Sequence, residues 1–409
     1  MQVFLKKIKK VKSASIRLPA SKSESNRALI INSLAGGHSP VKNLSEARDT
    51  QTMIRLLKSE EKTLDVLDAG TTMRFLTAWS SVQNLNHILT GTQRMQERPI
   101  GILVDALRTL GAKINYLTWD GFPPLETVSF QKQLTDSVSI PGNVSSQFIS
   151  AILMIGPVLE KGLKIEMTGE ISSKPYIEMT LGIMSHFGAA HGWVDQMITV
   201  PPQLYKSRPF TVQPDWSAAS YWYSIVALAS EAEIYLEGLS RNSFQGDKII
   251  ASIMENLGVQ SRFDESGVSL SKKEYEHEFS CNFGDCPDLA QTVAVTAAAR
   301  GIRVRMSGLK SLRIKETDRI AALNNELNKI GASLVESKPG EGILNPADPA
   351  RLPDSIRIDT YDDHRMAMAF APLATILDLT IDNPEVVVKS YPNFWEDLKL
   401  AGLESRRVS

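Results

Sequence analysis

Apolar positions gather along the 409-residue chain in two interleaved series. In the first, a helical period runs into a glycine and then a short β-like stretch: LVDALRTLGAKINYL, TLGIMSHFGAAHGWV, IIASIMENLGVQSRF, LNNELNKIGASLVE and DLKLAGLESRR. Their glycines, Gly111, Gly188, Gly258, Gly331 and Gly402, stand 77, 70, 73 and 71 residues apart. Glycine at such a place predicts a helix ending in the left-handed conformation. The period is too long for a common solenoid, so each unit is expected to be a small α/β subdomain.

The second series is apolar on nearly every side and predicts helices buried in a core. Its members begin near Thr71 (TTMRFLTAW), Ser145 (SSQFISAILMIG), Ser217 (SAASYWYSIVAL), Asp288 (DLAQTVAVTAAA) and Asp362 (DDHRMAMAFAPLA), at spacings of 74, 72, 71 and 74. A sixth, ASKSESNRALIINSLAGG from Ala20, lies closer to its neighbour, which predicts a shortened first unit. Six units fit most simply as two domains of three.

Each buried stretch opens on hydroxyl, amide or carboxylate side chains. Capping of the first helical turn explains one such residue per helix. It does not explain Lys22 with Arg27, Ser145-Ser146-Gln147, or Asp362-Asp363-His364-Arg365. Helix N-termini carry partial positive charge and free N–H donors. A cleft between two domains, lined by helix starts and shaped for a multiply anionic ligand, accounts for the whole pattern.

Composition narrows the classes. Lys plus Arg is 45 and Asp plus Glu 46, so net charge points to neither nucleic acid nor a membrane surface as partner. FLKKIKKVKS carries five lysines from Lys6 to Lys12 without the apolar region of a signal peptide, and predicts an exposed edge strand with Lys outward. No apolar run reaches the length of a membrane span. Cys281 and Cys286 form no disulfide framework or metal pair and read as inert thiols of a cytoplasmic protein.

Cations recur at the helix heads. Ser23 and Arg27 share a helix face behind Lys22. Arg94 and Arg98 precede Pro99, a residue suited to a first turn. SLRIKETDRIAAL sets Arg313, Lys315, Glu316, Asp318 and Arg319 ahead of an apolar helix, with Ser311 and Lys315 four apart; a solvated salt-bridge face is the equal alternative there. His364 and Arg365 head a helix too apolar for solvent, and Lys389 follows a β-like run. The six histidines are scattered, no Walker or dinucleotide loop occurs, and no Gly-x-Ser-x-Gly elbow is present. The reading is a site with no metal and no cofactor, with Asp288 and Glu316 as candidate acid/base groups.

The motifs SKSESNRAL, AGTTMR, RMQERPIGILVDAL, SSQFISAILM, SKPYIEMT, PDLAQT, KETDRI, DDHRMAM and KSYPNFW resemble, in order from Ser21 to Trp395, those of the 5-enolpyruvylshikimate-3-phosphate synthase family. The resemblance implies the two-domain enolpyruvyl-transferase fold, an inside-out α/β barrel with three βαβαββ units per domain. The expected boundaries are 21–213 for one domain and 1–20 with 214–409 for the other. It implies transfer of the enolpyruvyl group of phosphoenolpyruvate to the 5-hydroxyl of shikimate 3-phosphate by a monomer. Carried over residue by residue, Lys22, Ser23, Arg27, Ser145, Ser146, Gln147, Ser173, Tyr176, Ser311 and Lys315 hold shikimate 3-phosphate, together with Asp288. Lys22, Gly70, Arg98, Gln147, Glu316, Arg319, His364, Arg365 and Lys389 hold phosphoenolpyruvate. Asp288 is the implied base at the 5-hydroxyl, Glu316 handles the methyl proton, and Lys22 assists the leaving phosphate.

Some positions depart from the family pattern. Asp68 stands where Asn is usual and would repel phosphoenolpyruvate unless paired or turned away. Ser311 replaces Asn, Phe75 replaces Pro, and the chain between Asp49 and Asp68 is short. The sister transferase acting on UDP-N-acetylglucosamine is opposed by Lys22-Ser23 in place of Lys-Asn, and by the absence of Cys in TGTQRMQERP. A non-catalytic sensor of phosphate ligands is opposed by Lys22, Asp288, Glu316 and Arg365 together.

Overall fold

The computed structural model describes residues 1–408 and divides into two compact units, Ala20–Val212 and Met1–Pro19 with Gln213–Ser409. Three helices pack against one another inside each unit. In Ala20–Val212 they are Lys22–Leu34, Gly70–Val82 and Ser146–Ile155; in the other they are Trp216–Leu228, Ala290–Ala299 and His364–Phe370. These are the apolar stretches of the sequence. Ala290–Ala299 and His364–Phe370 have no exposed residue, because alanine, valine and methionine let neighbouring helices approach closely. Hydroxyls bridge two of the packed helices: Ser224 of Trp216–Leu228 and Thr296 of Ala290–Ala299 lie 2.7 Å apart.

Small sheets surround these helices, and five of them share one topology. Thr63–Asp65 lies parallel to Ile88–Thr90, which pairs antiparallel with Leu125–Ser129, which pairs antiparallel with Lys113–Tyr116. Ser137–Pro141, Leu163–Thr168, Met197–Val200 and Gly192–Val194 repeat that order, as do Glu278–Asn282, Arg303–Ser307, Glu341–Asn345 and Ser333–Lys338. Four of the five parallel pairs are joined through a single buried helix, as a βαβ crossover requires; the fifth, Ala14–Ile16 with Ile234–Glu237, is interrupted in the chain by the whole of Ala20–Val212. In each of these five repeats a further helix ends at one of the spaced glycines. Gly111, Gly188, Gly258, Gly331 and Gly402 all have φ between 80° and 121°.

The sixth sheet is only the parallel pair Val41–Lys42 with Phe210–Thr211. The chain passes from the helix Arg48–Leu57 almost directly to Thr63–Asp65, so the antiparallel hairpin of the other five is missing. This is the shortened first unit.

The N-terminal segment corrects one expectation. Gln2–Leu5 is no edge strand: it lies between Asp378–Asp382 and Ser405–Val408, with Val3 opposite Ile381 on one side and Arg407 on the other. Val3 and Leu5 supply the buried face. The lysines fall beyond it, exposed on the connection to Ala14–Ile16, and that second strand forms the edge of the sheet built on Ile234–Glu237.

Two smaller expectations also change. Pro99 precedes the first turn, since the helix spans Gly101–Leu110 with Ile100 as its cap. The run before Lys389 is a 3-10 turn, Pro384–Lys389, and no strand: Asn383 at φ 45° and Pro384 start a turn, and Val387 is buried by it.

Candidate active site

In Ala20–Val212 the predicted residues collect at three adjoining helix starts. Ser21 caps its helix, its hydroxyl accepting from the Glu24 N–H. Lys22 then reaches Asp49, Nζ to Oδ2 3.0 Å, with the carboxylate almost wholly covered. Arg27 points inward. Its Nε donates to Thr180 Oγ1 at 2.7 Å, and its terminal nitrogens donate to Ser150 Oγ at 3.1 Å and to the Ser23 and Tyr176 carbonyls. The guanidinium also lies 5.3 Å from the Phe75 ring centre. Burial lowers its pKa to about 10, against the opposing pull of Tyr176 and Glu24. Arg27 therefore ties the Ser23 backbone to the helix Lys174–His186, whose cap Ser173 is left-handed at φ 55°.

At the second helix start, a Cβ on Gly70 would lie 2.7 Å from an Arg98 nitrogen, so glycine admits that guanidinium against the backbone. Ala69 offers no side-chain cap. Gln147, from the third helix start, donates to Thr71 Oγ1 at 3.1 Å, while Ser145 caps the helix that begins with Ser146. Asp68 is paired: one Arg48 nitrogen stands 2.9 Å from both of its carboxylate oxygens.

The other unit gathers its predicted residues around Arg319, which is 2 % exposed. Its Nε donates to Asp363 at 2.6 Å, one terminal nitrogen to Asp288 at 3.1 Å, and the other to Glu316 at 2.9 Å. Arg365 donates to the second Asp288 oxygen at 2.6 Å and to the Tyr221 hydroxyl at 3.3 Å, and Lys389 stands 3.6 Å from Glu316. His364 Nδ1 is 3.5 Å from Asp363. Burial by itself pushes the Asp288 carboxyl up; Arg365, Lys315 and Arg319 together overcome this and hold it well below the usual carboxylate range. Burial likewise lowers the Arg319 pKa, and Asp363, Glu316 and Asp288 more than reverse it. Three carboxylates around one guanidinium make a site whose charges are set by each other.

The backbone behind this cluster is bent to aim it. Tyr361 and Asp362 are both left-handed, at φ 50° and 55°, before Asp363 turns into Arg319 and caps the helix through the Arg365 N–H. The Tyr361 hydroxyl donates to Glu326 at 2.9 Å and Asn383 donates to Asp362 at 2.7 Å, which fixes the bend.

The segment SLRIKETDRIAAL divides into two roles. Arg313 is on the surface, paired with Asp318 and Glu336, and Asp318 caps the following helix, so the solvated reading holds for these. Arg319 is buried in the site. Ser311 lies within the 3-10 turn Lys310–Ile314 and Lys315 directly follows it, both at half-buried positions.

Three functional neighbours went unread in the sequence. Asp49 and Arg48 are adjacent opposite charges at one helix start, a pattern that marks them as partners for charges elsewhere. Asp247 is buried, accepts from Ser217, and sits in the field of Asp288; burial and that charge raise its pKa to about 7. Only its tertiary surroundings distinguish it from a surface aspartate. The thiols of Cys281 and Cys286 are both pushed up by burial, Cys281 to about 11.

Comparisons with known proteins identify the family. The family described as EPSP synthase (3-phosphoshikimate 1-carboxyvinyltransferase) matches residues 5–60 and 57–398, its two segments meeting where the hairpin is missing. A 3-phosphoshikimate 1-carboxyvinyltransferase of Bacteroides fragilis (strain YCH46) is 51% identical over 95% of each chain. One from Sulfurovum sp. (strain NBC37-1) is 37% identical over 97% of this chain and 98% of its own. An EPSP synthase structure from Acinetobacter baumannii superposes with a TM-score of 0.79 at 20% identity, covering 100% of both chains, and shows the shared fold. With half of the residues identical to a named relative along almost the full length, and the family model matching nearly the whole chain, the chain belongs to the EPSP synthase (3-phosphoshikimate 1-carboxyvinyltransferase) family.

Proposed function

We propose that this chain transfers the enolpyruvyl group of phosphoenolpyruvate to the 5-hydroxyl of shikimate 3-phosphate and releases phosphate, as a cytoplasmic monomer needing no cofactor. The observation that carries the assignment of roles is the shared guanidinium: Asp288 and Glu316, the two acid/base candidates, both bond to Arg319. A base and an acid anchored on one rigid cation are held at a fixed separation, as addition across a double bond demands.

In the addition step, the 5-hydroxyl oxygen bonds to C2 of phosphoenolpyruvate, its proton passes to Asp288, and Glu316 gives a proton to C3. In the elimination step, C3 returns a proton to Glu316 and the C2–O bond to phosphate breaks. The hydroxyl proton leaves with the phosphate, Lys22 assisting its departure. The adduct stays anionic throughout, so the fixed cations Arg319, Arg365 and Lys389 supply much of the stabilisation.

The low Asp288 pKa constrains this scheme. A carboxylate held by Arg365 and Arg319 accepts a proton poorly. Phosphoenolpyruvate brings a carboxylate and a phosphate that compete for the same guanidinium groups. As they take over those donors, Asp288 loses its stabilising partners and becomes basic when the substrate is in place.

Phosphate release with both substrates tests the function. Wild type is expected to release phosphate only when both are present, and Asp288→Ala to lose at least ~10²-fold in kcat while still binding shikimate 3-phosphate. No release by wild type despite ligand binding favours a sensor, and release driven by UDP-N-acetylglucosamine favours the sister reaction.

A further inference from the structure

We propose that Glu326 is a positioning residue for the phosphoenolpyruvate end of the site: it holds the left-handed turn at Tyr361 and Asp362 that sets Asp363 on Arg319 and aims Arg365. The inference rests on the function proposed above.

Arg319 and Glu326 stand seven residues apart on the helix Arg319–Asn328, two turns along one face. Both side chains are buried. Arg319 opens the helix and donates to Asp363 at 2.6 Å. Glu326 lies in the last turn, where a negative charge opposes the helix dipole, so helix stability does not account for it. A buried carboxylate also destabilises the fold unless its oxygens are paired and hydrogen-bonded.

The partners of Glu326 belong to the chain that leads into the site. One oxygen accepts from Lys329 Nζ at 2.6 Å and from the Asp359 N–H at 3.2 Å; the other accepts from the Tyr361 hydroxyl at 2.9 Å. Lys329 also donates to the Arg357 carbonyl at 2.8 Å, and Asn325 donates to the Tyr361 hydroxyl at 3.4 Å. The segment 357–363 is therefore fastened to one helix along its length, by Lys329 and Glu326 at its start and by Arg319 at its end.

The fastening matters most at Tyr361. Tyr361 and Asp362 have φ of 50° and 55°, and a bulky aromatic residue adopts that conformation only where its surroundings impose it. Within the turn, the Tyr361 N–H donates to Asp359 Oδ1 at 2.9 Å and the Asp363 N–H to the Thr360 carbonyl at 2.8 Å. The phenol ties the turn to the helix. Relaxing Tyr361 to a negative φ would redirect the chain two residues before Asp363. Asp363 accepts from Arg319 Nε and caps the helix His364–Phe370 through the Arg365 N–H at 2.9 Å, so its displacement moves two cations at once. Glu326 thus acts on Arg319 and Arg365 through Tyr361 and Asp363.

The test is steady-state phosphate release by Tyr361→Phe, Glu326→Ala, Glu326→Gln and the double variant Glu326→Ala/Tyr361→Phe, varying phosphoenolpyruvate at saturating shikimate 3-phosphate. Tyr361→Phe and Glu326→Ala are each expected to raise KM for phosphoenolpyruvate ~10-fold, with kcat within about threefold, a size set by one lost hydrogen bond to a carboxylate. The double variant should match Glu326→Ala to within about twofold, because both changes cut the same link. Glu326→Gln keeps an acceptor for the phenol and should stay within about threefold of the wild-type KM. Melting temperature and shikimate 3-phosphate binding, measured in parallel, separate loss of folding from loss of positioning. Tyr361→Phe leaves the carboxylate paired with Lys329 and so decides the matter should Glu326→Ala fail to fold. An unchanged KM in Tyr361→Phe, or single effects that multiply in the double variant, overturns the proposal; so does a fall in melting temperature with KM unmoved. Failure of wild type to turn over overturns the function itself; normal wild-type turnover with an insensitive Tyr361→Phe overturns only the role of Glu326.

Discussion

Replacing Asp247 by Asn should stabilise the protein at alkaline pH and leave it nearly unchanged at acid pH. Asp247 is a buried carboxyl whose Oδ1 accepts no hydrogen bond among the described residues, while its other oxygen accepts from Ser217. Burial, then the charge of Asp288, raises its pKa from 3.8 to about 7. Between those two values the folded protein holds a proton that the unfolded chain has released. Stability therefore falls as pH rises through this window, and the loss is complete above about 7. A shift of about 3 units corresponds to at most ~4 kcal/mol at 1.36 kcal/mol per unit. Asparagine keeps an acceptor for Ser217 and cannot ionise. In a unit of this size ~1 kcal/mol moves the melting temperature by ~2–4 °C. Differential scanning calorimetry at pH 5 and pH 8 should show the Asn variant gaining several degrees on wild type at pH 8 and much less at pH 5. An equal difference at both pH values would refute the reasoning, since it would mean that the carboxyl is ionised throughout or that Ser217 alone matters.

Two further outcomes follow from the site geometry. Arg319→Lys should cost ~3–5 kcal/mol and collapse activity, because one ammonium cannot serve Asp363, Asp288 and Glu316 at once and weakens the pairing of all three buried carboxylates; denaturant unfolding and phosphate release both report it. Gly70→Ala should fold normally, since the obstructing atoms are the movable end of Arg98, but should raise KM for phosphoenolpyruvate ~10-fold by displacing that guanidinium.

The parts legible in the sequence were those with a local signature. Ala290–Ala299 and His364–Phe370 announce themselves as buried helices by lacking any polar face, and the spaced glycines mark where the flanking helices stop. Lys22, Arg319 and Lys389 stand in motifs whose charge has no place in an apolar segment. What could not be read is what depends on partners far along the chain. Gln2–Leu5 looks like a basic edge because its true neighbours lie more than 370 residues away. Arg27 reads as a ligand for phosphate, yet four of its donors go to Thr180, Ser150, Ser23 and Tyr176. Asp247 and Arg48 have ordinary surroundings in sequence, and only the field of Asp288 and the carboxylate of Asp68 give them meaning.

The placement of Gln2–Leu5 sets a timetable for biosynthesis. All of Ala20–Val212 has been made by mid-chain, and that unit can fold while the ribosome is still working. The other unit holds the earliest strand, yet the strands that flank it, Asp378–Asp382 and Ser405–Val408, are the last to be made. At ~5–20 residues per second, Gln2–Leu5 waits tens of seconds with its hydrogen-bonding edges open. The lysines that follow it suit that interval. Exposed like charges next to an unpaired strand discourage pairing with another nascent chain until its own sheet is complete.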